Sequence, residues 1–209
     1  MHPNPVFHTA DAARNLDFAR ERAFGVLAVC GPDLPMLAHV PFLVAPDGAE
    51  VDLHLVRSNP IARALSAPQS ARIAVSGPDS YISPDWYDVD DQVPTWNYVA
   101  VQISGTLERL PDDALLDILE RQSALFEARL LPKPPWTMDK LSADQRTRLM
   151  RMIVPCRMRV TGVDGTWKLN QNKPDAARAR AADHVRAFGQ GMELSALAAL
   201  MHGADPADT

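Results

Sequence analysis

The chain of 209 residues is short of cysteine, of positive charge and of long apolar runs. Cys30 and Cys156 are its only thiols. Two scattered cysteines make neither a zinc motif nor a disulfide framework. Each lies in an apolar, β-rich run, so both are expected as unpaired core thiols. Lysine plus arginine number 21 against 26 aspartates plus glutamates, a net charge of −5. That deficit argues against the broad basic face with which a protein grips duplex DNA. No apolar run approaches the ~20 residues of a membrane helix. The first residues lack a basic segment followed by an apolar core, so a cytoplasmic protein without a membrane anchor is expected. G-x-G-x-x-G, a Walker-type loop, H-E-x-x-H, C-x-x-C and G-x-S-x-G are all missing. Their absence removes the usual signatures of dinucleotide, nucleotide, metallohydrolase, dithiol and serine-hydrolase chemistry. The six histidines are scattered. His39 and His54 could face each other from neighbouring strands, but no third ligand is evident, so no metal site is expected.

What is present is an ordinary globular core, with 46% hydrophobic residues, interrupted by 18 prolines that confine long helices to a few stretches. A helix is expected over residues 10–22, capped by Thr9 or Asp11. Apolar runs at 24–30 and 36–44 and the alternating run 51–56 read as three strands of an antiparallel meander. Asn59 and Pro60 open a short helix at 60–66. A strand at 71–76, a long connection at 77–95 and a strand at 97–104 follow, with Gly105 marking a bend or bulge. Helices are expected at 112–131, 142–150, 174–188 and 194–201, with one strand at 156–163 among them. The tail from Gly203 is expected to be flexible. No βαβ alternation occurs. The expected fold is therefore mainly β with peripheral helices (α+β), an antiparallel barrel over residues 1–190 followed by a C-terminal helix and tail over 191–209.

Four segments stand out. His39 and Pro41 lie inside an apolar strand; proline lacks a ladder donor, which suggests a barrel edge or corner, or backbone open to a ligand. Arg57, Ser58 and Asn59 form a polar turn into a helix start, which suits either capping or a phosphate. Of four Trp, three Tyr and six Phe, five fall within residues 81–98. They must pack within the protein, on a second subunit or on a flat ligand. Residues 167–174 are dense in amide and ammonium donors, as a solvated capping turn or a ligand contact would be.

Together these segments resemble the PaiB family, described as FMN-binding negative transcriptional regulators and related to the split-barrel flavoproteins that include pyridoxamine-phosphate oxidase. The resemblance rests on GPDSYISPDWY at 77–87, VPTWNYVAV at 93–101 and WKLNQNKPDAARA at 167–179, supported by HVPF at 39–42 and HLVRSNP at 54–60. It implies an antiparallel split β-barrel and a homodimer with FMN at the subunit interface. Arg57, Ser58, Asn59 and Arg63 would hold the phosphate. His39 and Pro41 would border the ring or ribityl chain. Trp96, Asn97 and Tyr98 would wall the groove, and Lys168 and Gln171 would close it. The resemblance also implies transcriptional regulation and leaves flavin-dependent oxidoreduction open. No side chain is an evident acid or base, so no catalytic residue is named. Direct DNA binding finds little support, since the basic stretches at 146–151 and 178–186 read as solvated helix faces. A haem module with His39 or His54 as axial ligand is the alternative. The family usually has serine where this chain has Asn170, which removes a hydroxyl from that turn.

Overall fold

The structure is a computed structural model that describes residues 1–203; the expected tail beyond Gly203 lies outside the described residues. Among the described residues six strands form the sheet: β1 (Phe24–Val29), β2 (Met36–Val44), β3 (Glu50–Val56), β4 (Gln69–Ile82), β5 (Thr95–Arg109) and β6 (Ile153–Lys168). Helices are α1 (Ala12–Arg22), α2 (Pro60–Ala64), α3 (Leu115–Ala128), α4 (Ala143–Met150), α5 (Asp175–Phe188) and α6 (Leu194–His202). The strand order is β1-β2-β3-β6-β5-β4, and it returns on itself because β1 also pairs with β4. The β1·β2, β2·β3, β3·β6 and β1·β4 pairings are antiparallel.

Caps and turns formed where the residue types demanded them. The Asp11 carboxylate accepts from Arg14 N at 2.8 Å, and Ser142 caps α4 by accepting from Gln145 N. Pro41 is not at an edge, because β2 pairs on both sides. It sits where the ladder passes from β1, which pairs with residues 36–41, to β3, which pairs with 42–44, so a missing N–H does little harm. Gly105 makes no break, since β5 runs through it. A Cβ there would lie 2.2 Å from the Arg159 carbonyl, so the close approach of β6 requires glycine. The segment 77–82, expected as loop, continues β4. Its backbone finds partners far along the chain: Asp79 N donates to Met192 O and Tyr81 N to Gln190 O.

The chain divides into two units. Unit 1 comprises Met1–Phe18, Val75–Gln102 and the residues from Asp164 on; unit 2 comprises Ala19–Ala74 and Ile103–Val163. The core of unit 2 is the inward-facing set on its strands, including Leu27, Val40, Phe42, Leu53, Ile73, Ile103, Cys156 and Met158. In unit 1, Tyr87, Ala177, Ala181, Val185, Leu197 and Met201 are buried together where α5 packs on α6. The alanines of α5 permit that close contact.

Burial pushes the Cys156 thiol up to about 12, whereas Cys30 lies exposed just beyond β1 and is not a core thiol. Thiolate is the reactive form. Ellman's reagent at pH 8 is therefore expected to titrate one thiol in the folded protein and two in urea, with Cys30→Ser abolishing the native signal.

Candidate functional site

The residues singled out in the sequence fall into two groups, one in each unit. In unit 2, β3 leads through Arg57 and Ser58 into α2. The Asn59 side chain accepts from Ile61 N at 2.9 Å, so its amide oxygen serves as the helix cap. Ser58 is exposed, and exposed Arg63 lies four residues beyond Asn59, on the same side of the helix. Arg57 is differently placed from the expected phosphate clamp. Its Nε donates to Arg151 O at 3.0 Å and one terminal nitrogen to Ile153 O at 3.2 Å, and it pairs with Asp112 at 3.4 Å. These contacts tie the turn to the start of β6 and spend much of the guanidinium.

His39 is exposed on the outer face of β2 and stacks on Phe24 at 6.4 Å. The β2·β3 register, Phe42 opposite Leu53, puts His39 and His54 out of line, so they do not face each other. His54 Nδ1 instead lies 3.0 Å from Gln122 Oε1, and Gln122 Nε2 donates to Pro41 O at 3.2 Å. The Pro41 carbonyl is thus satisfied by α3. Because the Gln122 amide oxygen accepts, the His54 proton sits on Nδ1. Burial lowers the His54 pKa, opposed by that hydrogen bond.

The second group lies in unit 1. Trp96 is 49% exposed and meets Tyr81 edge-on at 6.3 Å. Asn97 is buried; its Nδ2 donates to Met201 Sδ at 3.5 Å, while among the described residues its Oδ1 has no hydrogen-bond partner. Tyr98 is half-buried on β5. Lys168 donates to Thr95 Oγ1, and burial, with the nearby charge of Lys173, holds its ammonium below the ordinary lysine value. Gln171 closes its own turn: Nε2 donates to Trp167 O, and Oε1 accepts from Leu169 N at 2.7 Å.

Asn170 has φ = 63°, the left-handed region, and its Oδ1 accepts from the Tyr87 hydroxyl at 3.2 Å. Asparagine tolerates that conformation better than serine does. Asn170→Ser is therefore expected to lower the unfolding free energy by about 1 kcal/mol. Urea denaturation checks this, with Tyr87→Phe testing the hydrogen bond separately.

Sequence reasoning missed Thr95, Gln122 and His2, because their partners are 73, 68 and 164 residues away. It also missed Asn15, buried in α1 and bonded to the Trp167 indole. A polar residue on the buried side of a helix was the available signal for Asn15. An open hollow of about 790 Å³ along residues 84–92 is lined by Asp85, Asp88, Asp90 and Asp91, a charge that repels phosphate.

The family model described as "Putative FMN-binding domain" matches residues 1–162. The chain belongs to this family. The FMN-binding domain family membership agrees with the PaiB resemblance seen in the sequence. The chain is 29% identical over 175 residues to the protease synthase and sporulation protein PAI 2 of Bacillus subtilis, covering 83% of each chain. Among solved structures it is similar to an FAD and heme binding protein of Mycobacterium smegmatis (TM-score 0.56, 16% identity, 88% of this chain and 80% of that one). It is also similar to the flavocytochrome Anf3 of Azotobacter vinelandii (TM-score 0.56, 13% identity, 80% and 72%). At these identities the likeness is one of fold. Among the described residues, no helix is long and apolar enough to cross a membrane.

Proposed function

We propose that this chain is a split-barrel flavoprotein that binds FMN and anchors its phosphate at Ser58 and Arg63. The observation that carries this is the β3–α2 turn of a chain whose first 162 residues match an FMN-binding domain. The turn fits a phosphate because a hydroxyl and a guanidinium stand exposed on it while Asn59 already caps the helix. Arg57 contributes by holding the turn to β6 rather than by gripping the phosphate. His39 and Pro41 of β2 would border the ring or ribityl chain. Bound FMN would supply hydride or single-electron chemistry, and the protein would supply orientation and electrostatics.

The homodimer belongs to the same proposal. Phe24 is 52% and Leu37 61% exposed on the outer face of β1 and β2, apolar surface that a second copy would cover. A regulatory role, implied by the PaiB resemblance, would act without a direct DNA contact. Arg178 pairs with Asp175, Arg180 donates to Tyr87 O, and His184 stacks on Trp86 at 5.5 Å, so of the basic side chains of α5 these three are engaged within unit 1 and Arg186 stands exposed.

FMN titration followed by flavin fluorescence tests the reading. Ser58→Ala with Arg63→Ala is expected to weaken FMN by about tenfold or more and to leave riboflavin unchanged. Absence of FMN binding at tens of micromolar, by fluorescence and by calorimetry, overturns it.

A further inference from the structure

Phe7 is buried at the end of the short 3-10 turn Pro5–Phe7, and two basic side chains stand around its ring. Lys168 Nζ lies 5.7 Å from the ring centroid. The His2 imidazole meets the ring edge-on at 4.7 Å, and His2 N donates to Thr166 Oγ1 at 3.2 Å, which fixes that residue to β6. Lys168 in turn bonds Thr95 at the start of β5.

We propose that Lys168, Thr95 and the His2 imidazole form a binding site for a small oxyanion, a phosphate or a carboxylate. The hydrogen-bond inventory points that way. An ammonium has three N–H donors, and Thr95 takes one. Thr95 accepts that bond and keeps its own hydroxyl proton to donate. His2 Nδ1 accepts from Asn4 N at 3.1 Å, so the imidazole proton is on Nε2, a third donor. All three side chains are half-buried rather than extended into solvent.

Charge points the same way. Burial and the field of Lys173 lower the Lys168 pKa; burial, Lys168 and His8 lower that of His2. The acid beside them, Asp164, lies 3.1 Å from His8 Nδ1 and is itself exposed. In a chain with a net charge of −5, the Lys168 ammonium thus stands against an apolar ring and, among the described residues, is bonded to no carboxylate. An oxyanion supplies the missing counter-charge, and charge-assisted hydrogen bonds are the strong ones. Lys173 does not compete for it, because its ammonium donates to Gln92 Oε1 and lies over the Tyr87 ring at 5.1 Å.

The site stands on unit 1 alone and does not require the flavin reading. The same chemistry could come from a free phosphate or carboxylate, or from the phosphate end of a cofactor. The test is an NMR titration of the full chain with inorganic phosphate, and separately with acetate, observing the His2 imidazole and the Thr95 amide. Saturable shifts at millimolar phosphate or acetate are expected. Affinity should fall about tenfold or more in Lys168→Met, persist in Lys168→Arg and stay unchanged in Lys133→Met. Thr95→Val, expected to weaken binding, carries the test should Lys168→Met fail to fold. FMN shifting these signals where riboflavin does not would assign the anion to the flavin in place of the Ser58 and Arg63 anchor; phosphate shifting them with FMN already bound would assign it to a separate ligand. The proposal is overturned if neither anion shifts the signals saturably, or if Lys168→Met binds as the parent does. Failure here with normal FMN binding leaves the flavin reading intact, and the reverse result leaves this one intact.

Discussion

Asp52→Asn is expected to lower the unfolding free energy by about 3 kcal/mol at neutral pH. Asp52 is buried on β3 and receives Arg157 Nε at 2.7 Å from β6 and an Arg121 nitrogen at 2.8 Å from α3. Glu50 and Asp117 complete the network, at 2.9 Å from Arg157 and 2.7 Å from Arg121. One carboxylate therefore clamps a helix and a strand to β3, and an amide in its place leaves both guanidiniums under-compensated. Burial alone would raise the Asp52 pKa, but the hydrogen bonds and charges of Arg157 and Arg121 outweigh it and hold the carboxyl below its ordinary value. The sign follows from linkage. A depressed carboxyl pKa contributes stability that is fully present above the unfolded value, about 3.9, and is lost as pH falls through the folded value. The gap between parent and variant should thus be constant from pH 5 to 7 and shrink below about pH 4. Urea denaturation at pH 7, 5 and 3 measures it; an equal gap at pH 3 and 7 would show that the charge is not the source. Because α3 also carries Gln122, the variant should loosen the hold on His54 and Pro41 O, seen as faster amide exchange in β2.

Trp167→Ala is expected to cost about 4 kcal/mol, the usual penalty for emptying a large aromatic site. Trp167 is among the largest fully buried side chains. Phe18 meets it edge-on at 5.5 Å, the Arg14 guanidinium lies 4.4 Å from its ring, and its Nε1 donates to Asn15 Oδ1 at 2.8 Å. Asn15→Ala should cost about 1–3 kcal/mol by leaving the indole N–H buried without an acceptor. A double-mutant cycle with Trp167→Phe should show that the two losses are not additive. Gly165→Ala should act through the same bond, since its Cβ would fall 2.0 Å from Asn15 Oδ1. Full additivity of the Asn15 and Trp167 losses would mean that the indole hydrogen bond contributes nothing.

The elements with strong local signals were legible in the chain. β2 spans 36–44 as its apolar run indicated, and α1, α4 and α5 begin within two residues of their expected starts. The lengths of β4, β5 and β6 were not legible. Gly77, Pro78 and Asp79 carry turn chemistry, yet β4 runs through them because its later residues find backbone partners at 190–192. β6 likewise extends from Ile153 to Lys168, well beyond the expected 156–163. The candidate site was legible as residue types in segments, with Ser58 and Arg63 exposed as a phosphate would need. It was not legible as contacts, and Arg57 shows why. Its type and position suit a phosphate, but the carbonyls of Arg151 and Ile153 reach it first.

The sequence by itself determined the α+β class, the meander of β1 to β3, the caps and the family, because these depend on periodicity and on neighbours within a few residues. Only the tertiary structure decided which donor meets which acceptor. Asp52 with Arg157, Trp167 with Asn15, Tyr87 with Asn170 and Lys168 with Thr95 are separated by 105, 152, 83 and 73 residues. A hydrogen bond reaches only about 3 Å, and no local pattern records which distant segment the folded sheet will bring within that distance.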